Sequence, residues 1–349
     1  MSYPRVFFVI GITALHSLAQ GQNNLVKQGA RAVRTADGHP DLQGVWANNN
    51  ATPLERPKEL AGRASLTNEE VAAMKKKAAE LYNGGGDAAF GDTVFQTVYA
   101  AVKGTAAAAG PHKKAANEFD AGTGDYSSEW IVAREWDNRT SLITDPPDGK
   151  MPAMTPEAQA RRAATFSAMN RRADGPEDRG LSERCLTFGS PQLTAGYQSY
   201  TQIVQTRDAV VIMTEMIHDA RIIPLDGRAH PPSAIRQWMG DSRGHWEGDT
   251  LVIDSTNYKP NSFMSASSEK LHVTERFTRT GPESLKYEIT IDDPETWTKP
   301  WSLMIPLKSS DHPIYEYACH EGNSGLAGIL SGARAEEKAA AGSGTREQK

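Results

Sequence analysis

Cysteine is rare in this sequence, where only Cys185 and Cys319 occur among 349 residues. Two thiols exclude a disulfide framework of the kind that holds small secreted domains together, and they exclude a metal site made of cysteines alone. One disulfide and two separate buried thiols both remain open. In an oxidising compartment, a bridge closing so long a loop would stabilise the fold by up to ~5 kcal/mol in the chain-entropy model.

Long apolar runs and basic runs are also missing. Beyond the N-terminus, no segment approaches the roughly 20 apolar residues that a membrane-spanning helix requires. We therefore predict no transmembrane segment. The formal net charge is −5, and no basic run contains interleaved aromatic residues, so the sequence gives no reason to expect nucleic acid as a partner.

The sequence lacks the short motifs of several enzyme classes. It has no His-Glu-x-x-His, no Gly-x-Ser-x-Gly, no phosphate-binding loop and no dinucleotide-binding glycine motif in a βαβ setting. Zinc proteases, α/β-hydrolases, NTPases and Rossmann enzymes are therefore poor models, and we predict neither a cofactor nor a metal. Histidines from separate strands could still meet at a metal ion, although their spacing does not indicate it. They are His218, His245, His272 and His320.

Residues 1–21 have the composition of a secretory signal peptide. Arg5 supplies the positive charge, residues 6–14 are apolar, and small residues follow, which predicts cleavage between residues 19 and 21. The alternative is a buried N-terminal helix. Residues 22–36 are polar and without periodicity, which indicates a linker. The sequence thus predicts an exported protein, periplasmic or secreted.

Two helices and one flexible segment are predicted in the N-terminal half of the domain. The capping box at residues 67–70 begins a helix that ends at Asn83 and the glycines after it. Thr155 as N-cap begins a second helix, which ends near Arg172. Residues 84–127 are rich in Gly and Ala, and we predict a flexible insertion there, or a lid if the segment orders over a site.

After Cys185 the chain is predicted to consist almost entirely of short strands. The candidate strands lie at residues 199–206, 209–216, 219–225, 243–246, 250–256, 270–279, 285–292, 299–307 and 314–320. Short strands separated by tight turns favour an antiparallel meander, closed as a barrel or folded as a sandwich. We predict a mainly β fold in which residues 37–332 form one antiparallel barrel of calycin type with two peripheral helices. The charged, Gly/Ala-rich tail at 333–349 is predicted to be disordered.

Two resemblances support this architecture. The sequence Gly44-Val45-Trp46 resembles the Gly-x-Trp opening of lipocalin-like barrels, where the tryptophan closes one end of the barrel. Residues 180–337 resemble an uncharacterised family of exported bacterial proteins, through the phrases at 183–186, 292–297 and 316–323. That second resemblance implies export and a single β-rich unit, and it implies no activity and no catalytic residue.

The hairpin at residues 270–292 has the most regular pattern in the chain, because apolar and polar residues alternate on both of its strands. A slip of one residue would place each apolar face against a polar one, so the register is constrained. We predict the cross-strand pairs Thr280–Ser284, Arg276–Glu288, Thr274–Thr290 and His272–Asp292. The polar face then carries an ion pair and an imidazole–carboxylate pair, or it is simply a solvated outer face.

Ionisable and aromatic side chains are densest in residues 214–250, directly after an apolar run. Strand geometry places Asp219 and Arg221 on one face and His218 on the other, and Glu215 joins Asp219 if the strand has no bulge. A carboxyl desolvated by apolar neighbours has a raised pKa and can act as an acid or base, whereas one beside an arginine stays ionised. The alternative is a structural ion-pair cluster.

These patterns lead to a hypothesis of function and two alternatives. The preferred hypothesis is an enzyme, a hydrolase, lyase or isomerase, that uses acid–base chemistry on a small polar or cyclic substrate. Its catalytic candidates are Asp219, His218, His272 and Glu215. Its substrate-binding candidates are Arg221, Arg276, Trp238, Glu288, Tyr317 and His320.

The alternatives are a lipocalin-like carrier of a small molecule without chemistry, and a structural module of the cell envelope without a cavity. Titratable groups that converge in a cavity would favour the enzyme, and an apolar lumen would favour the carrier. The sequence gives no oligomeric state.

Overall fold

The computed structural model describes residues 34–81, 93–105, 134–193 and 195–344. The predicted signal peptide at 1–21 and nearly all of the predicted linker lie outside these residues. Within the described ranges, no helix combines the length and the apolar composition that crossing a membrane would require.

Ten strands form a single antiparallel sheet. The strands are β1 (Gly44–Ala47), β2 (Ile143–Asp145), β3 (Tyr200–Gln205), β4 (Ala209–Thr214), β5 (Ala220–Pro224), β6 (Asp241–Glu247), β7 (Thr250–Thr256), β8 (His272–Gly281), β9 (Ser284–Asp292) and β10 (Trp301–Ser310). Their order across the sheet is β5-β4-β3-β1-β10-β9-β8-β7-β6, and β2 also pairs with β10. The prediction of a mainly antiparallel β fold is therefore confirmed.

The sheet is not closed among the described residues, because β5 and β6 are its two edge strands. The edges nevertheless approach each other at Gly244 of β6. A Cβ atom at this position would lie 2.7 Å from Leu225 Cδ2 and 3.0 Å from Ile223 Cγ2. Glycine is thus the residue that allows the two edge strands to come this close.

Alternate residues along the strands pack into one apolar core. The register of the β8–β9 hairpin is confirmed at the pairs Arg276–Glu288, Thr274–Thr290 and His272–Asp292. Only the end of the hairpin differs from prediction, since Gly281 rather than Thr280 pairs with Ser284. The inner face of this hairpin carries the stacked rings of Phe277 and Tyr287, whose centroids are 4.2 Å apart.

The described residues contain four α-helices, rather than the two that were predicted. They are α1 (Asn68–Leu81), α2 (Thr93–Lys103), α3 (Pro156–Asn170) and α4 (Ser324–Gly344). The predicted starts of α1 and α3 are confirmed. The Thr67 hydroxyl accepts from the Glu70 amide at 3.2 Å and the Glu70 carboxylate accepts from the Thr67 amide at 3.0 Å, while Thr155 caps α3.

Helix α2 lies inside the segment at 84–127 that was predicted to be a flexible insertion. Its buried residues Val94, Phe95 and Val98 pack with Met74 of α1 in a second apolar cluster. The flexible prediction is therefore wrong for residues 93–103. The segments on both sides of this helix are rich in Gly and Ala, and for that reason the helical spacing of its apolar residues was not recognised.

The C-terminal segment requires two corrections. Residues 314–320 form no strand, although their aromatic residues alternate. The tail predicted to be disordered from residue 333 is helical as far as Gly344. Alanine-rich sequence has high helix propensity, and Arg334 anchors the helix by donating to the carbonyls of Ala173 and Asp174, each at 2.9 Å.

Candidate functional site

A small cavity of about 40 Å³ lies between the inner face of the sheet and the loop at residues 187–192. The sheet contributes apolar walls from β4, β8 and β10, including Ile212, Phe277 and Ile305. Polar side chains from the loop, from β3 to β5 and from the β4–β5 turn also line the cavity. They include Ser190, Gln192, Thr201, Thr214, Asp219 and Arg221.

Asp219 reaches this cavity from a tight turn between β4 and β5. Ile217 and His218 in that turn have φ values of 58° and 47°, so the backbone reverses within a few residues. Asp219 Oδ2 accepts from the Thr187 hydroxyl at 2.7 Å and from the Phe188 amide at 3.0 Å. No described residue donates to its other oxygen.

The pKa of the Asp219 carboxyl is raised. Burial is the largest cause, and the hydrogen bonds from Thr187 and Phe188 oppose it, as do the charges of His218 and Arg221. A carboxyl with a raised pKa can exchange a proton nearer to neutral pH than an exposed aspartate does.

Two buried polar groups that line the same cavity have no hydrogen-bond partner among the described residues. They are the Ser190 hydroxyl and the Gln192 amide nitrogen. Ser190 is only 4% exposed. Buried polar atoms in folded proteins are nearly always paired, and an unpaired one costs about 1–3 kcal/mol. The lining of the cavity therefore holds an unpartnered amide donor, an unpartnered hydroxyl and a carboxyl.

Arg221 also lines the cavity, but its guanidinium is paired with the carboxylate of Glu275 in β8. Arg221 Nη1 lies 2.5 Å from Glu275 Oε2, and Nη2 lies 2.9 Å from Oε1. The Tyr287 hydroxyl donates to the same carboxylate. Burial alone would lower the pKa of Arg221, yet the charge and hydrogen bonds of Glu275 raise it. This pair is a bidentate ion pair in which the Arg221 side chain is 10% exposed and the Glu275 side chain is 0% exposed.

Sequence reasoning missed Glu275, although a signal for it exists. Glu275 occupies an inward position of β8 between the buried residues Val273 and Phe277. A carboxylate that interrupts the apolar face of a strand must be buried and must therefore have a partner. Arg221, at the facing position of β5, is that partner.

Glu215 does not share the face of Asp219. The strand ends at Thr214, and Glu215 has helical backbone angles (φ −63°, ψ −43°), so its side chain leaves the strand pattern and reaches the segment at 311–317. There one oxygen accepts from the Tyr315 amide at 3.0 Å, while Oε2 has no partner among the described residues. Burial raises the pKa of Glu215. Glu215 was predicted to share the face of Asp219 only if one regular strand contained both residues. A turn separates them, so the two side chains are on different faces.

His218 and His272 are also outside the cavity. His218 is exposed, and its Nδ1 lies 3.1 Å from the carbonyl oxygen of Tyr317. His272 is on the outer face of the sheet, where its Nε2 lies 2.5 Å from Asp254 Oδ2. The four catalytic candidates thus lie in separate environments, and only Asp219 lines the cavity.

The outer face of β6, β7 and β8 carries a chain of paired ionisable groups. His230 Nδ1 lies 2.7 Å from Asp241 Oδ1, and His230 Nε2 lies 3.0 Å from Asp254 Oδ1. Arg243 Nη1 lies 3.0 Å from Asp241 Oδ2. Asp254 therefore joins His230 to His272. In the described residues, no group of three or more His, Cys, Asp and Glu side chains is arranged to hold a metal ion.

The remaining substrate-binding candidates are dispersed. The cross-strand neighbours Arg276 and Glu288 do not pair with each other, since Arg276 binds Glu247 at 2.7 Å and Glu288 binds Lys286 at 2.9 Å. Their face is the half-exposed outer face of the hairpin, which was the alternative interpretation. Tyr317 and His320 belong to the irregular segment after β10, and Trp238 lines a groove next to the cavity.

The two cysteines form a disulfide, with their Cα atoms 5.7 Å apart. Of the two alternatives left open by the sequence, one disulfide is therefore the one observed.

No protein-family model, no curated protein and no solved structure matches the chain.

The His272–Asp254 pair predicts a pH-dependent stability. The hydrogen bond that His272 donates to Asp254 raises the pKa of His272, so the contribution of His272 is complete below about pH 6.5 and is lost as the pH rises through its folded-state pKa. The same bond lowers the pKa of Asp254, whose contribution is lost only as the pH falls well below about 3.9.

We expect His272→Gln to destabilise the protein more at pH 5.5 than at pH 8.5 in urea titrations. Both side chains are more than one-third exposed (41% and 37%), so the difference should be less than about 1 kcal/mol. His320→Gln, at an exposed position, is the control and should show no such pH dependence. A larger effect of His272→Gln at pH 8.5 would contradict the prediction.

Proposed function

We propose that this protein binds a small polar or cyclic molecule whose polar groups enter the cavity under residues 187–192. The observation that supports the proposal most is that the unpartnered Ser190 hydroxyl, the unpartnered Gln192 amide and the Asp219 carboxyl all line this one cavity. A ligand that offers both a donor and an acceptor would satisfy these groups.

We also propose that the curved sheet is a barrel of calycin type, with the ligand held inside it. The approach of the two edge strands at Gly244 supports this, and so does the burial of Trp46, which is 1% exposed. The leader-like residues 1–21 and the disulfide between Cys185 and Cys319 support a proposal of export to the periplasm or the medium.

Acid–base catalysis in the same cavity is a second candidate function. The raised pKa of Asp219 favours it, because the carboxyl can take or give a proton on a bound substrate. Asp219 would then act alone or with groups of the substrate, since His218, His272 and Glu215 are not in the cavity. The reaction would be a hydrolysis, an elimination or an isomerisation that needs a single acid–base group.

The test is a ligand screen by thermal shift, followed by titration of the wild type and two variants with each hit. We expect Asp219→Asn to keep a melting temperature within a few degrees of wild type and to weaken binding at least about tenfold, the effect of losing one hydrogen bond to a charged group. We expect Ser190→Ala to weaken binding without loss of stability, because its hydroxyl has no partner to lose.

Asp226→Asn is the control, because that carboxylate pairs with Arg228 in an exposed turn away from the cavity. It should bind the ligand as wild type does. An Asp219→Asn protein that unfolds, or one that binds every hit normally, would contradict the proposal. If the second candidate is correct, Asp219→Asn should abolish kcat while ligand binding persists.

A further inference from the structure

A groove adjoins the cavity where the edge strands β5 and β6 separate. Its volume is about 570 Å³, which is within the roughly 300–1,000 Å³ range of small-molecule sites. Arg221 and Met239 line both the groove and the cavity. The two spaces therefore meet at these side chains.

The wall of this groove is formed by residues 236–240, which the fold holds in place. The Gln237 amide donates to the Asn257 carbonyl at 3.0 Å, and the Lys259 amide donates to the Gln237 carbonyl at 2.9 Å. Gly240 has a φ of 70°, and a Cβ atom there would lie 2.7 Å from the ring of Tyr258. The loop thus packs closely against Tyr258 and is held by backbone hydrogen bonds, so the groove is preformed.

Large apolar side chains are exposed at the groove. Ile222 of β5 is 71% exposed and Leu186 is 40% exposed, and both line it. Trp238 and Met239 extend the apolar surface on the other side. Adjacent exposed apolar side chains on a soluble surface often mark a binding site.

The uncompensated charge in the groove is positive. Arg221 pairs with Glu275, and Arg236 pairs with Glu269 at 2.7 Å. The Lys259 ammonium lies over the Trp238 ring, 4.5 Å from its centroid, and no carboxylate in the described part of the chain pairs with it. The acidic lining residue, Asp241, is already bound by His230 and Arg243.

We propose that the groove binds an amphipathic organic anion. Its anionic group pairs with Lys259, and its apolar body lies against Ile222, Leu186 and Met239. This inference deepens the proposed function, on which it rests, by naming the class of ligand that the cavity and its groove take together.

The test uses three probes with the same chain length, sodium decanoate, decanol and decyltrimethylammonium, below their micelle concentrations. Titration is followed by the tryptophan fluorescence of the full-length protein. We expect wild type to bind decanoate about tenfold more tightly than decanol, the effect of one charge-assisted hydrogen bond, and to bind the cation least.

Lys259→Gln should reduce the affinity for decanoate to that for decanol, whereas Lys299→Gln, at an exposed position elsewhere, should change neither. Ile222→Ser, which leaves the core intact because the side chain is mostly exposed, should weaken both probes. Equal affinity of wild type and Lys259→Gln for decanoate, or no binding of any probe, would overturn the inference.

The Asp219→Asn variant separates this inference from the proposed function. If decanoate binding depends on Lys259 and Asp219→Asn has no effect on any hit from the ligand screen, the groove inference stands and the cavity proposal fails. If the screen hits depend on Asp219 and decanoate does not depend on Lys259, the reverse conclusion follows.

Discussion

Arg221→Met is expected to lower the free energy of unfolding by about 3–5 kcal/mol, since it removes one partner of a buried ion pair. Glu275 is 0% exposed, and among the described residues its carboxylate would keep only the Tyr287 hydroxyl as a donor. Urea titration at neutral pH measures the effect directly. The loss should appear as a lower midpoint with an unchanged slope.

Arg276→Met is the matched control. Arg276 is on the same strand as Glu275 and also pairs with a glutamate, but both members of the Arg276–Glu247 pair are exposed, at 38% and 49%. An exposed pair contributes roughly 0–1 kcal/mol. If Arg221→Met costs no more than Arg276→Met, the inner pair is not desolvated as the structure describes.

A double variant distinguishes the effect of the unpaired Glu275 charge from the effect of lost side-chain packing. Arg221→Met combined with Glu275→Leu replaces the pair by apolar groups of similar size, and such replacements are often neutral or stabilising. We therefore expect the double variant to be more stable than Arg221→Met alone. A double variant that is less stable than both single variants would mean that packing, or the Tyr287 hydroxyl left without its acceptor, causes the loss rather than the unpaired charge, and adding Tyr287→Phe separates these two causes.

The sequence pattern predicts those elements whose stability comes from alternation and capping. The β8–β9 register follows from the period of two in residues 270–292, because any other register would bury polar side chains. The start of α1 follows from Thr67 and Glu70, because the capping box acts within one helical turn. In both cases, neighbouring residues determine the structure.

Other elements depend on contacts between distant residues, so local pattern misleads. Residues 314–320 alternate as a strand does, yet they are held by the disulfide at Cys319, the Tyr315 amide bond to Glu215 and the Tyr317 carbonyl contact with His218. The interaction partners of these residues lie 99 to 134 positions away in the chain, so no local periodicity reveals them.

The candidate site also combines features that the local sequence predicts with features that depend on distant contacts. Asp219 and Arg221 were predicted to share a face, and both line the cavity. Ser190 and Gln192 were not predicted, because their only distinction is that tertiary packing buries them without a partner. His218 and Glu215 were predicted to be catalytic because ionisable side chains are dense in residues 214–250. The turn after Thr214 places both of them outside the cavity.

Removal of the disulfide has the second large expected effect. Cys185 and Cys319 are 134 residues apart, for which the chain-entropy model gives ~5 kcal/mol, and removal of native disulfides commonly costs about 2–5 kcal/mol. We expect the double variant Cys185→Ala/Cys319→Ala to lose stability in that range. Urea titration of the double variant and of wild type, each with and without reductant, measures it, and the two proteins should coincide once wild type is reduced.

The loss should extend to the cavity, because the bridge joins the two segments that flank the β4–β5 turn. Cys185 precedes Thr187 and Phe188, which bind the Asp219 carboxylate, and Cys319 follows Tyr317, whose carbonyl contacts His218. We therefore expect ligands of the cavity to bind the double variant more weakly, even at urea concentrations where it remains folded. If the variant is destabilised but binds ligands as wild type does, the bridge stabilises the chain without positioning Asp219.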